Sequence, residues 1–184
     1  MVDEVYSPEE DSYLIEKCIL EENLTNKKCL DMGTGSGIQS KAMYKAGARN
    51  IFAIDINYKA LFASQKNNHE ITQSIRFVES DLFSKISNEK FDFIAFNPPY
   101  VPSGKIKWKD LDGGKKGRET IDKFLNQLPN HIVNGSILLL LVSSLNNPDE
   151  IIDILENQGF ITKIINSKKF FFEEIFVIRA IYIK

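Results

Sequence analysis

The chain has 184 residues, 43% of them hydrophobic and 26% charged, which is typical of a folded globular protein and excludes a disordered one. Lys plus Arg number 23 and Asp plus Glu 25, so the net charge of −2 does not favour binding to naked nucleic acid through phosphate contacts alone. The longest apolar run, Ile137 to Val142, is far shorter than the roughly 20 residues that cross a bilayer.

The length and the residue types also indicate the number of domains and the cellular compartment. A chain of this length is expected to form a single domain over residues 1–184, with a short N-terminal helix. Its first residues are acidic where a signal peptide would be basic and then apolar. Its two cysteines, Cys18 and Cys29, form neither a metal motif nor a disulfide framework. We therefore expect an intracellular, cytoplasmic protein that does not associate with a membrane.

The first predicted element is a helix that runs to about Glu22. Ser7 is predicted as its N-cap, Pro8 as its first helical residue and Glu10 as the partner that completes a capping box. A buried stripe is predicted at Tyr13, Leu14, Lys17, Cys18 and Leu20.

Strands and helices then alternate along the chain. Strands are predicted at 28–32, 51–56, 75–79, 91–96, 136–142, 160–165 and 175–183. Helices are predicted at 38–46, 58–67, 118–128 and 148–158. Only a short turn separates the last two strands, which leaves no room for a crossover helix, so these strands should be antiparallel. The pattern predicts an α/β fold: a doubly wound, mostly parallel seven-stranded sheet with one antiparallel C-terminal strand.

A glycine-rich loop at 30–37 joins the first strand to the next helix. Gly33 and Gly35 allow a sharp turn and a close approach of the backbone to a ligand. A dinucleotide-binding loop would need a third glycine where Ile38 stands. Asp31 would lie badly beside a pyrophosphate but well beside the ammonium and sulfonium groups of S-adenosylmethionine. The alternative is a tight turn that binds no ligand.

Two further aspartates are expected along the same edge of the sheet. Asp55 ends the second strand, 22 residues after Gly33, where an acid can accept hydrogen bonds from both hydroxyls of a ribose. Asp81 follows the third strand, where its carboxylate or the neighbouring backbone can bind the amino group of an adenine. The alternatives are a helix cap at Asp55 and an ordinary turn at Asp81.

The motif that follows the fourth strand is the most informative. A planar nitrogen with two N–H groups needs two acceptors, and the side-chain oxygen of Asn97 and the carbonyl of Pro98 can provide them. Pro98 and Pro99 restrict the backbone, so the acceptors are in place before the substrate arrives. Tyr100 adds an aromatic wall for a planar group. The alternative is a Pro-Pro turn that only closes the strand.

The segment 31–37, Asp55 and the motif at 97–100 resemble the class I S-adenosylmethionine-dependent methyltransferases, which implies a Rossmann-like fold. A narrower resemblance is to the release factor glutamine methyltransferases, in the short archaeal and eukaryotic form that lacks an N-terminal helical domain. The segments that carry it are Tyr6–Ser12, Asn97–Pro102 and Gly113–Glu119. The resemblance covers nearly the whole chain from Tyr6 onward.

The resemblance implies roles for individual residues. Ser12 would close over the methionine end of the cofactor, and Asp31 and Gly33 would hold its amino-acid part. Asp55 would bind the ribose, and Asp81 with the residue after it would bind the adenine. The positions expected to bind the cofactor are Ser12, Asp31, Gly33, Gly35, Asp55, Asp81, Leu82 and Asn97. The positions expected to be catalytic are Asn97, Pro98, Pro99 and Tyr100.

The implied reaction is attack of a glutamine amide nitrogen on the sulfonium methyl group of S-adenosylmethionine, in one displacement. The glutamine would belong to the Gly-Gly-Gln motif of a class I peptide-chain release factor. No general base is evident, and neither His69 nor His131 is expected to take part.

The resemblance also implies a partner. Short members of the family work with a small zinc-binding activator protein, and the third strand, 74–79, is expected to lie at the sheet edge where that protein would add a strand. Ile75 and Phe77 are then expected to be partly uncovered. The alternative is that Arg76 and Glu79 protect this edge in a stable monomer.

Three other functions stay open. Amine methylation of adenine in DNA or RNA shares the motif at 97–100, and the long loop after it carries basic residues, here called the loop cations. They are Lys105, Lys107, Lys109, Lys115, Lys116 and Arg118. The near-neutral charge and the lack of a target-recognition domain make nucleic acid the weaker candidate. Protein lysine methylation and non-catalytic cofactor binding are the others, and Trp108 receives no role.

Overall fold

A computed structural model describes residues 7–101, 114 and 117–184 of the chain. Tyr6, Pro102, Trp108, Gly113 and the loop cations other than Arg118 were named from the sequence but lie outside these residues.

The described residues form five α-helices, seven strands and three short 3-10 turns. The helices are α1 Glu10–Leu20, α2 Ile38–Lys45, α3 Tyr58–Asn67, α4 Glu119–Gln127 and α5 Pro148–Asn157. The strands are β1 Lys28–Met32, β2 Asn50–Asp55, β3 Ile75–Glu79, β4 Phe91–Phe96, β5 Ile132–Ser143, β6 Phe160–Lys169 and β7 Glu174–Tyr182. The 3-10 turns are His69–Ser74, Leu128–His131 and Ser144–Asn146.

All seven strands form one sheet in the order β3-β2-β1-β4-β5-β7-β6. The pairs from β3 through β5 are parallel, and β7 is antiparallel to both β5 and β6. This confirms the predicted doubly wound, mostly parallel sheet with a single reversed strand. It also confirms that β3 is an edge strand.

Helices cover both faces of the sheet, so its central strands are buried on both sides. Successive residues of β1 show this, because Cys29 belongs to one hydrophobic cluster and Leu30 to the other. Apolar residues of α4 and α5 join the Leu30 cluster, and those of α1 and α2 join the Cys29 cluster. The polar positions are left to the ends of the strands.

The start of α1 differs from the prediction. The helix begins at Glu10 with Glu9 as its N-cap, and no side chain caps it, so the capping box at Ser7 was wrong. The predicted stripe was also rotated, because Tyr13 and Leu20 are exposed. The buried face is Asp11, Ser12, Ile15, Cys18 and Ile19. Two polar residues are buried there because Asp11 hydrogen-bonds residues that lie far away in the sequence.

Three further expectations need correction. β5 begins at Ile132 rather than near 136, and β6 continues to Lys169 rather than ending near 165. The polar residues that end β6 hid its length, because their pairing with β7 depends on backbone hydrogen bonds and not on apolar side chains. Ile75 is only 8% exposed, so its predicted uncovering was wrong, whereas Phe77 is half-buried.

No helix among the described residues is long and apolar enough to span a membrane. The same residues hold no group of three or more His, Cys, Asp or Glu side chains arranged to bind a metal ion.

Two glycines with the same backbone conformation test how tightly the loop before α2 is packed. Gly37 and Gly135 both have φ of 84°. A Cβ on Gly37 would clash with the side chains of Asn68 and Ser64, whereas a Cβ on Gly135 would meet no atom of the described residues within 4 Å. We expect Gly135→Ala to lower the free energy of unfolding by about 1 kcal/mol and Gly37→Ala by about 1–3 kcal/mol more. Urea unfolding of both variants measures this, and equal losses would contradict the packing.

Candidate functional site

The polar residues predicted as ligands gather where the parallel strands end. The Thr34 N–H donates to the carbonyl of Ile54 (2.8 Å), which ties the glycine-rich loop after β1 to the end of β2. The Ser80 N–H donates to the carbonyl of Asp55 (2.9 Å), which ties the end of β3 to β2 in the same way. A crevice outside the carboxyl ends of the strands is where open α/β sheets bind ligands.

The glycine-rich loop turns through left-handed backbone conformations. Gly33 and Gly35 have φ of 66° and 53°, which glycine adopts without strain. Among the described residues other than its two chain neighbours, the nearest atom to a Cβ on Gly35 would be the carbonyl oxygen of Gly33, at 3.9 Å. The glycine is therefore needed for the turn, and it leaves the backbone open to a ligand.

Asp31 lies beneath this loop and is 1% exposed. Its Oδ2 accepts hydrogen bonds from Thr34 Oγ1 (2.7 Å), Ser40 N (3.0 Å) and Ser40 Oγ (2.6 Å). Burial raises the pKa of the Asp31 carboxyl to about 6 despite these bonds. The carboxylate thus holds the loop and the first turn of α2 together, and its contact with a ligand stays a prediction.

Asp55 binds the loop from the neighbouring strand. Its Oδ2 accepts a hydrogen bond from Gly35 N (3.0 Å), and its Oδ1 accepts one from Asn57 N (2.8 Å). These bonds fix the plane of the carboxylate at the crevice. A carboxylate oxygen has two lone pairs and can accept more than one hydrogen bond.

The end of β3 contributes a strained backbone. Leu82 has φ of 48°, a left-handed conformation that is costly for a leucine, and its carbonyl accepts a hydrogen bond from Ser80 Oγ (2.9 Å). Asp81 beside it is exposed, and the Leu82 side chain is 7% exposed. Strain of this kind clusters at ligand sites, and binding of an adenine by Asp81 and Leu82 stays a prediction.

Asn97 carries the most informative contact of the site. Its Nδ2 donates to Asp11 Oδ2 (3.2 Å), across 86 residues of sequence. Its Oδ1 is buried and has no hydrogen-bond partner within the described protein. Buried polar atoms are nearly always paired, so an unpaired acceptor at this edge indicates a place for a ligand N–H group.

Tyr100 is held by the same carboxylate. Its hydroxyl donates to Asp11 Oδ2 (3.4 Å), and its side chain is 8% exposed. Burial raises the pKa of the Tyr100 hydroxyl, and the charges of Asp11 and Glu173 raise it further. Tyr100 therefore stays neutral and acts as a donor and an apolar wall.

Asp11 is the functional residue that the sequence reasoning missed. It is 3% exposed, and its Oδ1 accepts from Ser12 N (2.6 Å) and Ser12 Oγ (3.3 Å), so the predicted Ser12 lies beside it. The available signal was an acid four residues before the buried Ile15 of the same helix.

The turn after β5 anchors the motif from behind. Asn146 is 1% exposed, and its Nδ2 donates to the carbonyls of Tyr100 (2.8 Å) and Gly117 (2.8 Å). Arg118 donates to the carbonyl of Asn146 (3.3 Å) and forms ion pairs with Asp122 and Glu150. One buried amide thus binds the backbone at both Tyr100 and Gly117.

The two histidines lie away from these residues. His69 is exposed, whereas His131 is buried against Phe83 with ring centroids 4.0 Å apart. The Nδ1 of His131 also lies 2.8 Å from the carbonyl oxygen of Glu89.

The model of one protein family, the methyltransferase small domain, matches residues 11–170 of the chain. The chain belongs to this family. The match contains the glycine-rich loop, both carboxylates that bind it, and the motif at 97–100, so the resemblance drawn from these motifs is confirmed.

Relatives within this methyltransferase family are similar over most of the chain. A Methanocaldococcus jannaschii protein with the provisional name protein N5-glutamine methyltransferase is 40% identical over 96% of this chain and 91% of its own. The human methyltransferase HEMK2 is 29% identical over 85% of this chain and 79% of its own.

A solved structure matches both the fold and the sequence of this methyltransferase. It is a chain of the E. cuniculi Mtq2–Trm112 complex, which is described as responsible for methylating the eRF1 translation termination factor. The two chains share 31% identity with a TM-score of 0.78, and the match covers 97% of this chain and 98% of the other.

The raised pKa of Asp31 predicts a pH dependence of stability. The folded-state pKa of about 6 exceeds the unfolded value of 3.8, so the folded chain binds the proton more tightly. Stability from this group is complete below about pH 4 and is lost as the pH rises through about 6. We expect this loss to be at most about 3 kcal/mol, and to be absent in Asp31→Asn, where the amide oxygen can accept the same hydrogen bonds.

Urea unfolding of both chains from pH 4 to pH 7.5 measures the difference. Parallel pH profiles for the parent chain and Asp31→Asn would contradict the raised pKa.

Proposed function

We propose that this chain is an S-adenosylmethionine-dependent protein N5-glutamine methyltransferase. Its substrate is the glutamine of the Gly-Gly-Gln motif in a class I peptide-chain release factor. The observation that carries the proposal is the buried, unpaired Oδ1 of Asn97 at the crevice beside the glycine-rich loop. The family and the names of its relatives support the same reaction.

The residues of the crevice fit S-adenosylmethionine. Asp55 presents a carboxylate fixed by Gly35 N and Asn57 N, suited to the ribose hydroxyls. The absence of a side chain on Gly35 leaves space for the amino-acid part of the cofactor, and Ser12 lies beside Asp11. Asp81 and the turn at Leu82 bind the adenine. The backbone of this turn is strained, and the Leu82 carbonyl accepts a hydrogen bond from Ser80 Oγ. When bound, the cofactor supplies an electrophilic methyl group on a sulfonium.

Asn97 and Pro98 bind the substrate amide. The Asn97 Oδ1 and the Pro98 carbonyl accept its two N–H groups, which leaves the nitrogen lone pair perpendicular to the amide plane. The donation from Asn97 Nδ2 to Asp11 sets which end of the Asn97 side chain faces the substrate. Proline at 98 and 99 limits backbone motion, so little entropy is lost on binding.

These residues favour an amide over a lysine amine. A lysine arrives as a cation and must lose a proton before it reacts. The Tyr100 hydroxyl has a raised pKa and donates to Asp11, so it is not a proton acceptor. An adenine amine has the same two N–H groups as an amide. The experiment must therefore distinguish methylation of DNA or RNA from methylation of the release factor.

The test compares two variants that fail differently. Asn97→Ala should lower the single-turnover rate of release factor methylation by roughly 100-fold, with cofactor affinity within a few-fold of the parent, because the lost acceptor aligns only the substrate. Asp55→Ala should weaken S-adenosylmethionine binding by roughly 10-fold or more, because the ribose hydroxyls lose their shared acceptor.

Mass spectrometry of the Gly-Gly-Gln peptide measures the transfer, and calorimetry measures cofactor binding. Parent-like transfer by Asn97→Ala would disprove the role of its Oδ1. Methylation of DNA, RNA or histone but not of release factor would assign a different substrate.

We also propose that a small activator protein adds a strand to β3. β3 pairs with β2 alone among the described strands, so its other edge offers backbone groups to a partner. Phe77 and Val78 are half-buried on this strand. Support comes from the E. cuniculi relative, which is found in complex with Trm112.

Lysine substitutions on the two edge strands distinguish binding of the activator at β3 from a general effect of an added charge. Phe77→Lys on β3 should reduce co-purification with a Trm112-like activator, because the lysine disrupts the apolar contacts beside the added strand. Ile161→Lys, at a 61% exposed position of the opposite edge strand β6, should not. Soluble yield and complex recovery after co-expression measure both, and equal recovery of the two complexes would place the activator elsewhere.

A further inference from the structure

The turn that joins β6 to β7 carries three consecutive phenylalanines, here called the aromatic tip. Phe171 and Phe172 are 92% and 88% exposed, and Phe170 is 37% exposed. The rings of Phe171 and Phe172 meet edge to face with centroids 4.6 Å apart. Exposed aromatic pairs are costly to keep in water, so an adjacent pair at a loop tip indicates a contact with a partner.

The aromatic tip lies at the same edge of the sheet as Asn97. Ser143 at the carboxyl end of β5 pairs with Ile175 at the start of β7, so the turn before β7 projects from that end. Since β5 lies between β4 and β7, the strand that leaves the turn is two strand spacings, or about 10 Å, from the strand that carries Asn97, and the turn itself projects beyond the end of β4.

Hydrogen bonds hold the tip at a fixed position relative to the catalytic motif. The Phe170 N–H donates to the Glu173 carbonyl (2.7 Å) and closes the turn. Ser143 Oγ donates to Glu173 Oε2 (2.6 Å), and the Ser143 N–H donates to Asn146 Oδ1 (2.8 Å). Asn146 in turn donates to the Tyr100 carbonyl, so one chain of bonds joins the tip to the motif.

The tip is also held on its other side. Lys168 forms an ion pair with Glu10 at the start of α1, and its ammonium lies 5.7 Å from the ring centroid of Phe170. Phe171 and Phe172 therefore lie on a turn that hydrogen bonds and an ion pair hold in place. Because the turn is already ordered, it loses less conformational entropy when a partner binds.

The chemistry of the catalytic motif requires such a second contact. Two acceptors at Asn97 and Pro98 bind any primary amide, and the asparagine and glutamine side chains of every protein carry one. Selection of a single glutamine must therefore use binding energy from surfaces away from the reacting atoms. Aromatic side chains are the residues most enriched among those that dominate the energy of protein interfaces.

We propose that the aromatic tip docks the folded protein substrate, with Phe171 and Phe172 inserted into an apolar depression beside its methyl-accepting loop. This inference rests on the proposed function, because it takes the release factor as the occupant. The tip then determines affinity for the whole substrate protein, and the motif at 97–100 determines which atom reacts.

The test uses a double variant, Phe171→Ala with Phe172→Ala, and a matched control, Ile161→Ala. Ile161 is an exposed apolar residue of the same hairpin, but it lies near the opposite end of β6. Each chain is assayed on the folded release factor and on a short peptide with the Gly-Gly-Gln sequence, which is too small to reach the tip.

We expect the double variant to raise KM for the folded release factor by roughly 10-fold or more. Its kinetics on the peptide and its affinity for S-adenosylmethionine should match those of the parent, and Ile161→Ala should match the parent in every assay. If the parent chain methylates the release factor and the double variant does so with an unchanged KM, the proposed role of the tip is wrong and the proposed function is not affected. A parent chain that methylates neither substrate would overturn the proposed function, and the release factor as occupant with it.

Two further measurements identify other occupants. Sedimentation of the parent chain with anionic phospholipid vesicles, lost in the double variant, would assign the tip to a membrane surface and overturn the proposal. Light scattering that shows a dimer of the parent and a monomer of the double variant would assign it to a second copy of the chain, with the same consequence.

Discussion

The carboxylate of Asp11 is the contact on which the arrangement of the catalytic motif depends. A single oxygen accepts from the Asn97 amide and the Tyr100 hydroxyl, so the first helix sets the orientation of two side chains that follow the fourth strand. An amide group can rotate by 180° and exchange donor for acceptor, and only a neighbour with a fixed character prevents that exchange. Because the Asp11 oxygen accepts from Asn97 Nδ2, the Asn97 Oδ1 is turned away from it and, in the function that we propose, faces the substrate amide.

Two further carboxylates, Asp31 and Asp55, hold the glycine-rich loop on the side of the crevice where we propose that the cofactor binds. Asp31 is buried and binds the loop from within, whereas Asp55 is half-buried and binds it from the rim. The two acids therefore lie in different environments: Asp31 stabilises a backbone conformation from a buried position, and Asp55 does so from a position that solvent still reaches. The glycine-rich turn therefore has its shape before any ligand is present, which lowers the cost of ordering it on binding.

Most of the fold followed from local patterns, and the exceptions have physical causes. The bounds of β1 and β4 were predicted correctly, because short, mostly apolar runs between turn residues identify strands that are covered on both faces. The buried face of α1 was wrong, since the hydrogen bond that pulls Asp11 inward spans 86 residues and leaves no periodicity. The left-handed backbone of Leu82 could not be predicted either, because a leucine does not favour that conformation.

The insertion of β7 between β5 and β6 has a consequence for how the chain assembles. β6 makes no contact with β5 in the sheet except through β7, although both precede it in sequence. During synthesis β6 must wait unpaired until residues 174–182 leave the ribosome, and only then does that side of the sheet close. β7 reaches β6 across a short turn, but until β7 is made an apolar edge of β5 stays exposed. The nascent chain is therefore most vulnerable to aggregation just before β7 emerges.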